Sequence, residues 1–174
     1  TEEGVFYESI NFAALKDLPV LFVCENNRFS CFTHLSKRQP ESRKIFQMVS
    51  AMGIESFECD GNDVISVYNM ANQITKTIKN GEGPKFLELH TDRWLEHCGP
   101  NYDDDLGYRS KIEIKKSREN DPIKILEKRF PELSSSKKNS IKKELNLLTE
   151  QAFVFAENSN FPPEKEAYTN LYSQ

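Results

Sequence analysis

Between Glu3 and Leu15, Phe6, Ile10, Ala13 and Ala14 recur at helical spacing, and Pro19 then introduces an unbroken apolar run, Val20-Leu21-Phe22-Val23-Cys24. The pattern predicts a helix followed by a buried strand, of the continuous kind that suits a parallel sheet covered on both faces. Glu25-Asn26-Asn27 punctuates the run and starts a loop at the strand's carboxyl end, followed by an irregular basic stretch to about Pro40. Ile45, Met48, Val49 and Met52 mark a second helix, stopped by Gly53, and residues 55–59 form a second short strand. Asp60-Gly61-Asn62-Asp63 turns the chain and caps a third helix, whose inner face reads as Val64, Val67, Tyr68, Ala71, Ile74 and Ile78. After Asn80-Gly81-Glu82-Gly83-Pro84, residues 85–91 alternate into a third strand. Strands separated by helices predict an α/β fold, a three-layer doubly wound parallel sheet.

From Asp92 to Ile112 the periodicity gives way to a polar loop of about twenty residues, longer than connections in compact domains and therefore functional or disordered. Asp121-Pro122 opens a helix through about Phe130. Ser134-Ser135-Ser136 precedes a last helix, from about Lys137 to Asn158, with an apolar stripe of Ile141, Leu145, Leu148, Ala152, Phe155 and Ala156 for docking on the body. In the tail, Pro162-Pro163, Tyr168, Leu171 and Tyr172 are polar enough in context to be exposed, yet aromatic enough to dock.

A length of 174 residues fits one compact domain, and 37% hydrophobic with 29% charged residues excludes collagen-like and wholly disordered chains. Twenty-three basic against 27 acidic residues leave a net charge of −4, which argues against a nucleic-acid partner. No run approaches the roughly 20 apolar residues that cross a bilayer, so no membrane partner is expected. Four irregularly spaced Cys with no signal peptide predict reduced thiols in a cytoplasmic protein. The opening at Thr1, directly into a helical pattern, leads us to expect further sequence upstream.

Open parallel sheets gather ligands beyond the carboxyl ends of their strands, here after Cys24, Cys59 and Thr91. Asn26 and Asn27 offer the hard, neutral oxygens that Mg²⁺ accepts beside phosphate, although an Asn pair equally closes turns on its own backbone. His97 could shuttle protons or hold an anion, or be a plain surface residue. Arg93 and Arg109 could pair with phosphate or carboxylate, or with Asp103, Asp104 or Asp105, an acidic run otherwise expected to be solvated in a mobile loop. Cys31-x-x-His34 is half a zinc site at most. Cys24 and Cys59 read as small core residues.

Residues 1–15, then Leu18-Pro19-Val20-Leu21-Phe22-Val23-Cys24-Glu25-Asn26-Asn27-Arg28-Phe29-Ser30, together with Asp60-Gly61-Asn62-Asp63, Gly83-Pro84, Arg93 to His97, Gly107-Tyr108-Arg109 and Asp121-Pro122-Ile123, resemble the alpha subunit of thiamine-diphosphate-dependent 2-oxo-acid dehydrogenases. The resemblance covers nearly the whole chain. It implies thiamine diphosphate and Mg²⁺ as cofactors, with Asn27 supplying a side-chain metal ligand, Phe29 a backbone carbonyl, and Glu25, Asn27, Phe29 and His97 lining the cofactor site. The third protein ligand, an Asp, is expected upstream of Thr1. His97 matches the family histidine that assists acyl transfer, and Cys98 stands where many relatives carry a phosphorylatable Ser. The implied reaction is decarboxylation of a 2-oxo acid with the acyl group passed to lipoamide. Implied partners are a beta subunit in an alpha2beta2 heterotetramer, or a homodimer, and a lipoyl-bearing acyltransferase. On this reading residues 1–130 are part of a diphosphate-binding α/β domain, and residues 131–174 pack on that domain or on a partner subunit. Asp92, Leu95 and Glu96 depart from the usual residues, leaving the substrate and acceptor open. A transketolase-like or acetoin-type enzyme, or a non-catalytic scaffold, are the alternatives.

Overall fold

A computed structural model of the chain describes residues 1–169, in two compact units that divide after Arg129. Leu171 and Tyr172, the tail residues expected to dock, lie outside the described residues. In the first unit, α1 (Gly4–Lys16) leads into β1 (Leu21–Asn26), followed by a small hairpin, β2 (Phe29–Ser30) and β3 (Thr33–His34). Then come α2 (Ile45–Ala51), β4 (Glu55–Asp60), α3 (Val64–Lys79), β5 (Lys85–His90), α4 (Lys111–Glu119) and α5 (Pro122–Arg129).

The strand order β1-β5-β4, all parallel, puts the last strand in the middle. Successive side chains of β5 point to opposite faces, and both faces are covered. On one face Phe86 joins Ile10 and Ala13 of α1, Ile45 and Val49 of α2, and Ile54. On the other, Leu87 and Leu89 pack with Ile74 and Ile78 of α3. The expected α/β fold with a parallel sheet between helical layers is the one observed.

Local expectations need correction at four places. Residues 20–24 were expected to be covered on both faces; among the described residues β1 is an edge strand on which Phe22 and Cys24 pack into one cluster and Leu21 into the other, but Val23 is 53% exposed. The strand also extends through Glu25 and Asn26, because Asn26 still pairs in register with His90. Along α3 the buried stripe runs through Val67, Met70, Ile74 and Ile78, while Val64 and Tyr68 are exposed. The basic stretch after Asn27 is not wholly irregular, since a positive φ of 49° at Cys31 closes the β2–β3 hairpin.

Residues 92–112 are the fourth correction. They contain a bridge between Leu95 and Tyr102 and a short 3₁₀ turn over 104–106, and the helix α4 begins at Lys111. Its start is fixed by a reciprocal capping box: the Ser110 hydroxyl accepts from the Glu113 amide at 3.2 Å, and the Glu113 carboxylate accepts from the Ser110 amide at 2.8 Å. The second unit holds α6 (Ser135–Asn158), capped by Ser134 rather than starting at Lys137. Its stripe residues Ile141, Leu145, Leu148 and Phe155 are exposed. No helix among the described residues is long and apolar enough to cross a membrane.

Candidate functional site

Asn26, His90 and Asp60 end the three strands level with one another, so the segments that follow them meet at one edge of the sheet. The segment after β1 turns sharply at Arg28, whose φ is 67°. Asn26 anchors it: its Nδ2 donates to the buried Glu88 carboxylate at 2.7 Å, and its Oδ1 accepts from the Arg28 amide at 3.0 Å. Asn27 Oδ1 accepts from the Phe29 amide at 2.9 Å. Both Asn side chains thus close Asx turns, the turn alternative left open by the sequence. A side-chain carbonyl has two lone pairs, so Asn27 Oδ1 keeps one for a further partner.

Opposite stands Asp92, which accepts from Arg28 Nη2 at 3.0 Å and from the amides of Asn62 and Asn120 at 3.3 Å each. These residues wall a cavity of about 410 Å³ whose lining includes Asn27, Phe29, Asp92, Arg93, Arg109 and Ser117. Gly61, between the lining residues Asp60 and Asn62, has no room for a side chain, because a Cβ there would lie 2.5 Å from Thr91 Cγ2 and 3.0 Å from the His90 carbonyl.

The loop carrying His97 is held by an interlocked set of polar groups. Arg109 donates to the Asp103 carboxylate and to the Arg93 carbonyl. The Tyr108 hydroxyl donates to Asp103 at 2.5 Å, while Arg93 Nη2 donates to that hydroxyl at 2.9 Å and to the Cys31 carbonyl at 2.8 Å. Burial works against ionisation of Asp103, yet the Tyr108 hydroxyl and the Arg109 and Arg93 charges hold its carboxyl below the ordinary 3.8. Burial and the same hydrogen bond push the Tyr108 phenol up. Arg93 and Arg109 therefore pair with acids of their own loop, and Asp103 is buried rather than solvated, which corrects the expectation of a mobile acidic run. Farther along, the Arg118 guanidinium lies between the Trp94 and Tyr102 rings, 5.0 and 4.5 Å from their centres.

Of the residues singled out from sequence, Asn27 and Phe29 come together on the cavity wall. Glu25 and His97 are exposed, and neither lines that cavity. No group of three or more His, Cys, Asp or Glu among the described residues is arranged to hold a metal. The cavity's carboxylates Asp60, Asp92 and Glu113 already accept from Asn, Arg or Ser donors. What remains fits a hard cation through neutral oxygens, the Asn27 amide and the Phe29 carbonyl, provided that waters and phosphate oxygens fill the other positions. Sequence reasoning missed Glu88 and Asp92 as organisers of the site. A charge at the centre of an otherwise apolar strand was the available signal for Glu88.

Residues 1–165 match the family model described as Dehydrogenase E1 component. The chain belongs to that family. Among its relatives are the pyruvate dehydrogenase E1 component subunit alpha of Rickettsia felis, 32% identical over 173 residues, which are 98% of this chain and 52% of the relative. The protein of the same name from Rhizobium meliloti is 32% identical over 173 residues, 97% of this chain and 49% of the relative. The 2-oxoisovalerate dehydrogenase subunit alpha of Bacillus subtilis is 28% identical over 177 residues, 100% of this chain and 53% of the relative. The E1-family chain thus spans about half the length of the curated relatives it matches. The cavity-wall residues and the loop clamp of this E1-family chain all fall inside the matched range.

Proposed function

We propose that this chain is part of the alpha subunit of a thiamine-diphosphate-dependent dehydrogenase that decarboxylates a 2-oxo acid and passes the acyl group to lipoamide. Family membership supports the reading, as do relatives named for pyruvate and for 2-oxoisovalerate. The single observation that carries it at the site is the Asx turn at residues 27–29, which brings an amide oxygen and a peptide segment to the cavity at the carboxyl end of the sheet.

In this proposal the Asn27 side chain and the Phe29 carbonyl would be two ligands of Mg²⁺ and would anchor the diphosphate, whereas Glu25, exposed and off the cavity wall, is given no contact with it. When bound, thiamine diphosphate supplies the carbanion-stabilising centre at which a 2-oxo acid loses carbon dioxide. The chain's own work is to hold and orient. Glu88 fixes Asn26, Asn26 and Asn27 shape the turn, and Asp92 ties Arg28 to the far wall. In this reading His97, exposed on the clamped loop, would exchange a proton with the acceptor during acyl transfer. A beta subunit, in an alpha2beta2 assembly, and a lipoyl-bearing acyltransferase are the matching partners.

Equilibrium dialysis and steady-state kinetics on the assembled enzyme test this. Asn27→Ala is expected to lose Mg²⁺-dependent retention of thiamine diphosphate, whereas His97→Ala retains the cofactor and lowers kcat. Equal cofactor loss in the two variants would overturn the assignment of roles.

A further inference from the structure

The clamp of Arg93, Asp103, Tyr108 and Arg109 holds the two ends of the loop, but His97 sits between them, at the tip of a small hairpin. Leu95 and Tyr102 form its bridge, the Glu96 amide donates to the Asn101 carbonyl at 2.9 Å, and Asn101 Nδ2 donates back to Glu96 Oε1 at 2.8 Å. These two rungs leave His97-Cys98-Gly99-Pro100 as the tip, with His97 exposed. A two-stranded hairpin is marginal on its own in water, so its direction depends on what grips its base.

That grip comes from α4. The Arg118 guanidinium lies 5.0 Å from the centre of the Trp94 ring, just before the first strand of the hairpin, and 4.5 Å from that of Tyr102, at the end of the second. Its Nη2 donates to the Asp104 carboxylate at 3.1 Å, and the same carboxylate accepts from Arg109 at 3.3 Å, which joins this grip to the clamp. Trp94 Nε1 donates to the carbonyl of the adjoining Ser117 at 3.3 Å. A planar guanidinium can face two rings while donating along its edge, whereas an ammonium is a point charge on a flexible stem.

We propose that Arg118 is a positioning residue for His97: by gripping both strands of the 95–102 hairpin at its base, it sets where the imidazole stands for acyl transfer. The proposal rests on the acyl-transfer role given to His97 above. Arg118, Trp94 and Tyr102 do not line the cavity of Asn27 and Phe29, so loosening the grip spares cofactor retention and the steps before acyl transfer.

Two rates of the assembled enzyme separate those steps, each measured with pyruvate and with 2-oxoisovalerate. One is turnover with the lipoyl-bearing acyltransferase; the other is turnover with ferricyanide, an electron acceptor that takes up no acyl group. Arg118→Met, which keeps an unbranched stem and removes the planar cation, is expected to lower the first rate about tenfold or more and leave the second within about twofold. Arg118→Lys does not rescue it. Tyr102→Leu, at an exposed position, removes one of the two rings and gives the same selective loss without disturbing the core. In a His97→Ala background, Arg118→Met causes no further loss, because a residue that acts through another is not additive with it. Equal loss of both rates in Arg118→Met and Tyr102→Leu, wild-type acyltransferase turnover in Arg118→Met, or losses that multiply in the double variant would overturn the proposal and leave the role of His97 standing. Wild-type acyltransferase turnover in His97→Ala would instead overturn the reading on which the proposal rests, and the proposal with it.

Discussion

Glu88 and Asn26, neighbours across the parallel pair β5 and β1, are joined by a 2.7 Å hydrogen bond from the Asn26 amide to a carboxylate that is only 2% exposed. The second carboxylate oxygen accepts from the Phe46 amide of α2 at 3.0 Å. One buried acid thus ties the end of β1, and with it the 26–29 turn, to the centre of the sheet and to α2.

Glu88→Gln keeps the shape but must turn an amide N–H₂ toward one of two donors. Loss of a hydrogen bond to a charged group, with a donor left facing a donor, is expected to cost about 2–4 kcal/mol. Thermal unfolding checks this: a Tm within a degree of wild type would show that the acid is not structurally required.

Gly61→Ala drives a methyl into Thr91 and the His90 carbonyl, two residues of the cavity lining. Overpacking of this kind costs about 1–3 kcal/mol, and here it displaces the start of the loop. Denaturant unfolding should show the loss, and limited proteolysis should show faster cleavage between residues 91 and 110.

Tyr108→Phe removes the hydroxyl that both donates to Asp103 and accepts from Arg93, leaving Arg93 without one of its acceptors. About 1–2 kcal/mol of stability is expected to go with it. The pH dependence has a definite sign. The Asp103 carboxyl titrates lower folded than unfolded, so its contribution is complete above the ordinary value of 3.8 and is lost as pH falls below that value through the lowered one. Asp103→Asn should be less stable than wild type at neutral pH and lose less on acidification. Parallel acid-unfolding curves for the two proteins would contradict this origin.

The four cysteines are free and differ in setting: Cys31 and Cys98 are exposed, and Cys24 and Cys59 half-buried. Burial, reinforced by the Glu88 charge, pushes the Cys24 thiol up to about 11, and burial also raises Cys59. Because the thiolate is the reacting form, a disulfide reagent at pH 8 should modify two thiols quickly and the other two slowly, with Cys24 among the slow pair. Rapid, uniform modification of all four would contradict the burial of Cys24.

The α/β class, the places of α1, α2, β4, α3 and β5, and the candidacy of Asn27 were legible in the sequence, because helical spacing, strand alternation and turn residues are local signals, whereas Phe29 was implied only by the family resemblance. The helix α4 was legible in principle, through the capping box of Ser110 and Glu113, but its polar sequence has no apolar stripe to announce it.

Other features were decided only when the chain closed on itself. Whether the 20–24 run would be covered on both sides depended on strand order, which puts β1 at the edge among the described residues and leaves Val23 exposed. The run of Asp103, Asp104 and Asp105 read as solvated, with pairing to Arg93 or Arg109 left open, until Asp103 met Arg109, Arg93 and Tyr108, a buried charge made tolerable by partners as far as ten residues apart. That donors of Arg93, Arg109 and Ser117 are buried without a partner among the described residues is a further outcome of this kind. Local spacing determines which way a side chain faces, but whether its hydrogen bonds are met depends on segments distant in sequence, and tertiary packing alone brings those together.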